Sequence, residues 1–171
     1  RKVLDNFFEP AKKADPEYRE TYLAIGELAL AKNDFDLASK AFAEGLGHFP
    51  DDADMHFGLA RAFAPSDRIP MIASLEKALA CNTNHAPSYL LMADHFIDAE
   101  DYKQAQNTLD EALAVNPSHP EAWSYRAVLA HLASDTSGES TNRERALANW
   151  PNNPSVDHLI GRKLSQKYRF T

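Results

Sequence analysis

Seven histidines and one cysteine are the side chains of this 171-residue chain with the most chemistry to offer. Imidazole ligates metals and moves protons near neutral pH, and a thiolate attacks electrophiles. Their spacing matches none of the arrangements such chemistry needs. There is no His-Glu-x-x-His to put two imidazoles on one helix face, no Cys-x-x-Cys and no His-x-His pair. No serine stands in a Gly-x-Ser-x-Gly elbow. A Ser–His–Asp constellation is assembled in space and has no fixed spacing, so the sequence is silent on one. Gly45-x-Gly47 lacks the rest of a phosphate loop and precedes Pro50, so it reads as helix termination. Cys81 can form no internal disulfide, and its packing register reads as a buried, inert thiol. His56 and His95 read as partly buried helix residues.

The elements that would position any site are helices. Tyr22, Ile25, Gly26 and Ala29 recur at helical spacing, and Lys32-Asn33-Asp34 breaks the pattern. Phe35, Ala38, Phe42 and Leu46 resume it until Pro50. The same two-helix pattern returns with His56, Leu59, Ala60 and Phe63, a stop at Pro65, an N-cap at Asp67, Pro70 in the next first turn, then Met71, Leu75, Ala78 and Leu79. This second unit is one residue short, so its turn is expected to be irregular. Tyr89, Met92, Ala93, Phe96, Tyr102, Ala105, Leu109, Ala112 and Pro117 carry a third copy. Trp123, Ala127 and Ala130 open a fourth. There Ser134–Asn142 is polar and breaker-rich, which predicts a long loop and then a short helix over about 142–149. Ile160, Gly161 and Leu164 begin a fifth. The starts at 19, 53, 86, 120 and 154 are 34, 33, 34 and 34 residues apart. Ahead of them, Leu4, Phe8 and Ala11 repeat the offsets of Ala38, Phe42 and Gly45, so residues 1–18 read as a second helix alone or as a cap, with Pro10 straining its last turns.

The order of residues within each copy resembles the tetratricopeptide repeat: an aromatic, a large apolar residue three on, a small residue, then an aromatic, an alanine, an aromatic and a closing proline. The resemblance implies an all-α fold, a right-handed superhelix or solenoid of helix-turn-helix repeats. It would form one array over 1–171, with half repeats at 1–18 and 154–171 and full repeats at 19–52, 53–85, 86–119 and 120–153. It also implies that partner-contacting residues lie on each first helix between the packing positions. These are Leu23 and Glu27, Phe57 and Arg61, Leu90 and Asp94, Ser124, Val128 and His131, and His158 and Arg162. Leu23, Phe57 and Leu90 share one repeat position. They form either an apolar stripe that anchors a partner or a stripe the superhelix itself covers. Glu27, Arg61 and Asp94 alternate in sign, so they either read a charged segment or pair between adjacent helices. The clamp by which some members hold a C-terminal carboxylate with Lys, Asn and Arg is not available, because the corresponding positions hold Leu23, Glu27, Gly58, Pro87 and Leu91. His131 and His158 are the two imidazoles that could meet in the groove, but no metal and no cofactor is expected.

Composition sets the outer limits. A formal net charge of −7 gives no electrostatic attraction to nucleic acid or to an anionic membrane. No apolar run reaches the roughly 18 residues a spanning helix needs. The chain opens on Arg1-Lys2 inside a helical pattern, which reads as a segment of a longer protein, and nothing indicates a compartment. The expectation is a non-catalytic scaffold that binds a protein or peptide in the groove, with Leu23, Phe57 and Leu90 as anchors and Glu27, Arg61, Asp94 and Arg162 setting register. The alternatives are the non-catalytic arm of a larger enzyme or assembly, and self-association, for instance as a homodimer, through Leu4, Phe7, Leu164 and Phe170 on the terminal helices.

Overall fold

Aspartate punctuates the chain and decides where the second helices begin. The side chains of Asp34, Asp67, Asp101 and Asp135 each accept a backbone N–H from the first turn of the helix they precede. The computed structural model describes residues 4–167. Phe170 and the side chain of Leu4, both named for self-association, lie outside the described residues. A π-helical turn at Leu4–Phe8 leads into α1 (Glu9–Ala14). Then follow α2 (Arg19–Ala31), α3 (Phe35–His48), α4 (Ala53–Phe63), α5 (Arg68–Cys81), α6 (Ala86–Asp98), α7 (Tyr102–Val115), α8 (Pro120–Leu132), α9 (Thr136–Leu147) and α10 (Pro154–Lys167). There is no strand among the described residues. Pro10 stands near the start of α1, but Phe8 ahead of it is still helical (φ −80°, ψ −40°), so the helical backbone is continuous and its irregular π turn lies just before the proline that lacks an N–H.

Three first helices close in the same way. Asn33, Glu100 and Ser134 take left-handed backbone conformations, with φ of 56°, 62° and 60°. The next residue's N–H then reaches back to the Ala29, Phe96 and Ala130 carbonyls, each at 2.9 Å. This is a Schellman closure built without glycine. The turn after α4 has no such residue; Ser66 and Asp67 both donate to the Phe63 carbonyl instead. The repeat that is one residue short is thus the one with the different turn.

The chain divides into two compact units, Arg1–His85 and Ala86–Thr171. The first is built around Phe42, which is fully buried. Gly26 of α2 and Gly58 of α4 face its ring, and a Cβ on either would overlap the ring atoms. Tyr22, Met55, Ala38 and Ala29 complete that core. Gly45 belongs to it as well. The helix runs through it to His48, and a Cβ there would meet Met55 and Tyr22 at 2.7 and 2.8 Å, so Gly45-x-Gly47 does not terminate the helix as its sequence suggested. Cys81, expected to be buried, is exposed at the last residue of α5, one turn beyond the buried Ala78.

The second unit has α8 at its centre, packed by α6, α7, α9 and α10. Its core is Leu90, Ala93, Ile97, Leu109, Tyr125, Val128, Val156 and Ile160 with several alanines. The long loop expected over Ser134–Asn142 is instead the body of α9. Asp135 caps it, and ionic and ring contacts hold it where an apolar stripe would otherwise do so. Glu139 meets His131 at 2.9 Å, Arg143 makes two bonds to Asp157 at 2.6 and 2.7 Å, and the Arg145 guanidinium lies 4.6 Å from the centre of the Trp123 ring. Ala146 alone of its residues is buried. At the termini, Phe7 is exposed but Leu164 is half-buried against the core of its unit. The outward residues of α10 are polar: Ser155, Asp157, His158, Arg162, Ser165 and Gln166.

Candidate functional site

In the first unit three of the four predicted contact residues, Glu27, Phe57 and Arg61, engage one another. Arg61 bonds Glu27 at 2.5 Å between α4 and α2. Its guanidinium also lies 5.6 Å from the centre of the Phe57 ring, whose other neighbour is the His85 imidazole, edge-on at 5.2 Å. Phe57 is consequently only half-exposed, and Leu23 is half-buried against the core of the unit. His85 in turn meets Asp54 at 3.2 Å.

The second unit sorts its predicted residues into three groups. Leu90, Ser124 and Val128 are buried, at 5%, 1% and 0% exposure. Assigned as contact positions, these three side chains have little or no surface to offer a partner. The reason is the central place of α8, packed by α6, α7, α9 and α10. Asp94 and His131 are already bonded within the unit. Asp94 accepts the Tyr125 hydroxyl at 2.8 Å and the Lys163 ammonium at 2.7 Å, and His131 meets Glu139. His158 and Arg162 remain exposed on α10.

His158, Arg162 and the buried Ser124 converge on an open pocket of about 400 Å³ between α8 and α10. His119, Glu121, Trp150 and Leu159 complete its working surface. Trp150 is 58% exposed at the rim, an unusual placement for an indole, and Leu159 and Val156 give the wall an apolar strip. Burial pushes the His119 imidazole pKa down, so it stands neutral at physiological pH. Glu121 reaches solvent, yet the surrounding protein raises its carboxyl pKa; the Asp94 charge adds to that shift and Arg162 opposes it. Burial, then the Asp94 carboxylate, pushes the Tyr125 hydroxyl far up, so it stays a hydrogen-bond donor. A wider pocket of about 630 Å³ in the first unit, lined by residues of α3, α4 and α5 such as Leu46, Leu59 and Ala73, holds none of the predicted residues. Among the described residues no group of three His, Cys, Asp or Glu side chains could hold a metal ion, and no helix is long and apolar enough to cross a membrane.

A model of the tetratricopeptide repeat matches residues 23–68 and 90–154. The chain belongs to the tetratricopeptide repeat family. No curated protein matches it. Among solved structures it is similar to TTC0263, a tetratricopeptide protein of Thermus thermophilus, with a TM-score of 0.76 at 20% identity over 92% of this chain and 87% of that one. It is also similar to YrrB, described as having an unusual peptide-binding site, with a TM-score of 0.65 at 15% identity over 90% and 79% of the two chains. A third is the TPR2B domain of yeast Sti1 in complex with pHsp70, with a TM-score of 0.55 at 23% identity over 77% and 97%. At these identities the likeness is one of fold. The family is in general a non-catalytic, protein-binding one.

Sequence reasoning missed Lys163, Tyr125, Trp150 and His119. Two of them left a signal. Lys163 stands at the repeat position that holds Leu28, Ala62 and Leu129 elsewhere, so a lysine occupies a packing register. Trp150 lies between Asn149 and Pro151, outside any helical pattern, where an indole has no packing partner to explain it.

Proposed function

We propose that this tetratricopeptide protein is a non-catalytic interaction module that binds a segment of a partner protein, and that in its second unit the partner enters the pocket between α8 and α10. The observation that carries this reading is the pocket itself. It is open, and it joins an exposed tryptophan, an exposed arginine and an apolar wall, the residue types that dominate binding energies at protein interfaces. Trp150 and Leu159 would take an apolar side chain, while Arg162 and His158 would bond its polar neighbours. In the first unit Glu27, Arg61 and Phe57 would serve a partner only by giving up their bonds to one another, which makes them secondary contacts.

The test is a peptide-display selection on the parent chain and on a Trp150→Ala/Arg162→Ala variant with the parent's circular dichroism. Peptides that enrich on the parent and bind the variant at least about tenfold more weakly, a loss of roughly 1.4 kcal/mol, support the pocket. Peptides that bind both equally place recognition elsewhere, and the absence of any enriched peptide removes the reading.

A further inference from the structure

Lys163 is the charged residue with the deepest burial in the molecule's described core, at 1% exposure. Its ammonium lies 2.7 Å from a carboxylate oxygen of Asp94 and 2.7 Å from one of Asp98, both on α6. Four residues on, the Lys167 ammonium donates to the Asp98 backbone carbonyl at 2.9 Å and lies 3.6 Å from Glu100. The last carbonyl groups of α6 have no partner within their own helix, so a cation there is doubly placed, by the bond and by the helix dipole. Both lysines leave α10 on the same face, reach past the neighbouring α8 and fasten on α6.

This arrangement is peculiar to α10 and α6. At the position of Lys163 the other first helices carry Leu28, Ala62, His95 and Leu129, and at that of Asp98 they carry Ala31, Pro65 and Leu132. Stacking of one repeat on the next therefore does not require the pair. Nor is packing its reason. Burying an ammonium costs several kcal/mol in desolvation that its carboxylates roughly return, and an apolar residue of similar size commonly does as well or better. What a buried ion pair adds is directional. Slipping α10 along α8 by one turn would move Lys163 about 5.4 Å, off both carboxylates, and leave three charges unpaired.

We propose that Lys163 and Lys167 form a latch that sets the register of α10, and that Lys163 is thereby the positioning residue of the α8–α10 pocket. Arg162 adjoins Lys163 in sequence, and His158 precedes it by a little over one helical turn. The latch holds both side chains opposite Glu121 and Ser124. Its effect on ligands rests on the binding reading above; the latch itself does not.

Hydrogen–deuterium exchange of the full chain tests the latch without a ligand. In Lys163→Met, the amides of α10 should exchange at least about tenfold faster while those of α8 keep the parent's rates. Parent-like exchange in α10 would overturn the proposal. Lys163→Met leaves Asp94 and Asp98 without their shared cation, so a general loss of folding is met by Lys163→Met/Asp94→Asn/Asp98→Asn, which removes both unpaired charges. If the pairing were merely structural, this triple variant would recover parent exchange in α10 and parent binding of the selected peptides, and the latch would be refuted. If it acts as proposed, global stability recovers, α10 still exchanges fast, and the peptides bind at least about tenfold more weakly. Should no peptide be selected at all, exchange still decides the latch, and only the binding reading falls.

Discussion

Phe42 and Arg143 occupy the same position in the second helices of the first and fourth repeats, 23 residues after starts at 19 and 120. In the first unit the position is a buried ring set between two glycines. In the second it is a half-exposed guanidinium bonded to Asp157. One backbone pattern therefore survives two kinds of attachment behind the same aspartate cap: α3 is held by shape, and α9 largely by charge. The lesson is that the repeat specifies where a helix lies more strictly than what holds it there.

The sharpest way to break the comparison is to truncate both residues. Phe42→Ala empties a fully packed site and should cost about 3–5 kcal/mol, read as an earlier denaturation midpoint with faster amide exchange in α2–α4. Arg143→Ala removes a largely solvent-exposed ion pair and should cost below about 1 kcal/mol, with faster exchange confined to α9. Equal losses would show that the two helices are attached alike.

That contrast also marks how much of the fold was legible. Helices with an apolar period, such as α2, α3, α6 and α7, could be read directly, because burial of one face both writes the pattern and drives the packing. The helix α9 could not. Its residues Thr136, Ser137, Gly138, Ser140 and Thr141 disfavour a helix locally, and the contacts of Glu139, Arg143 and Arg145 that hold it are with residues distant in sequence. The candidate site was legible in part. Repeat register puts His158 and Arg162 on a first helix, and both line the candidate pocket there. The burial of Leu90 and Val128 was not legible, because register does not tell which first-helix positions a neighbouring helix covers. The latch was missed because a lysine pairing with carboxylates of a helix two repeats earlier obeys no local rule.

A middle-sized effect sharpens the comparison on the side of charge. Asp52 caps α4 by accepting the Met55 N–H at 3.0 Å and is also bonded by Arg19, whose guanidinium reaches Asp54 at 2.6 Å. Burial works to raise its carboxyl pKa, but Arg19 and the backbone donors outweigh it, and the net direction is down. A carboxyl held lower in the folded than in the unfolded chain stabilises above the unfolded value of about 3.9, and that contribution is lost as pH falls through the folded value. Asp52→Ala should therefore cost about 1–2 kcal/mol at pH 7. Urea denaturation should show the gap from the parent narrowing progressively below about pH 4. A gap that does not change with pH would mean that Asp52 acts through packing and not as a charged cap.

The smallest effect separates backbone from side chain. Ser134 closes α8 with φ of 60°, a conformation that costs a residue with a Cβ about 1–2 kcal/mol. Glycine adopts it freely but gives up about 0.5–1 kcal/mol of chain entropy on folding, so Ser134→Gly should gain roughly 0.5 kcal/mol net. The same change at Ser66, in the turn without a left-handed residue, relieves nothing and should lose stability. Paired thermal melts measure both. A gain at Ser134 with a loss at Ser66 would show that the short repeat changed its turn and not merely its length. A loss at both would mean that the Ser134 closure is held by contacts of its side chain, and the three Schellman turns would then owe their shared geometry to different causes.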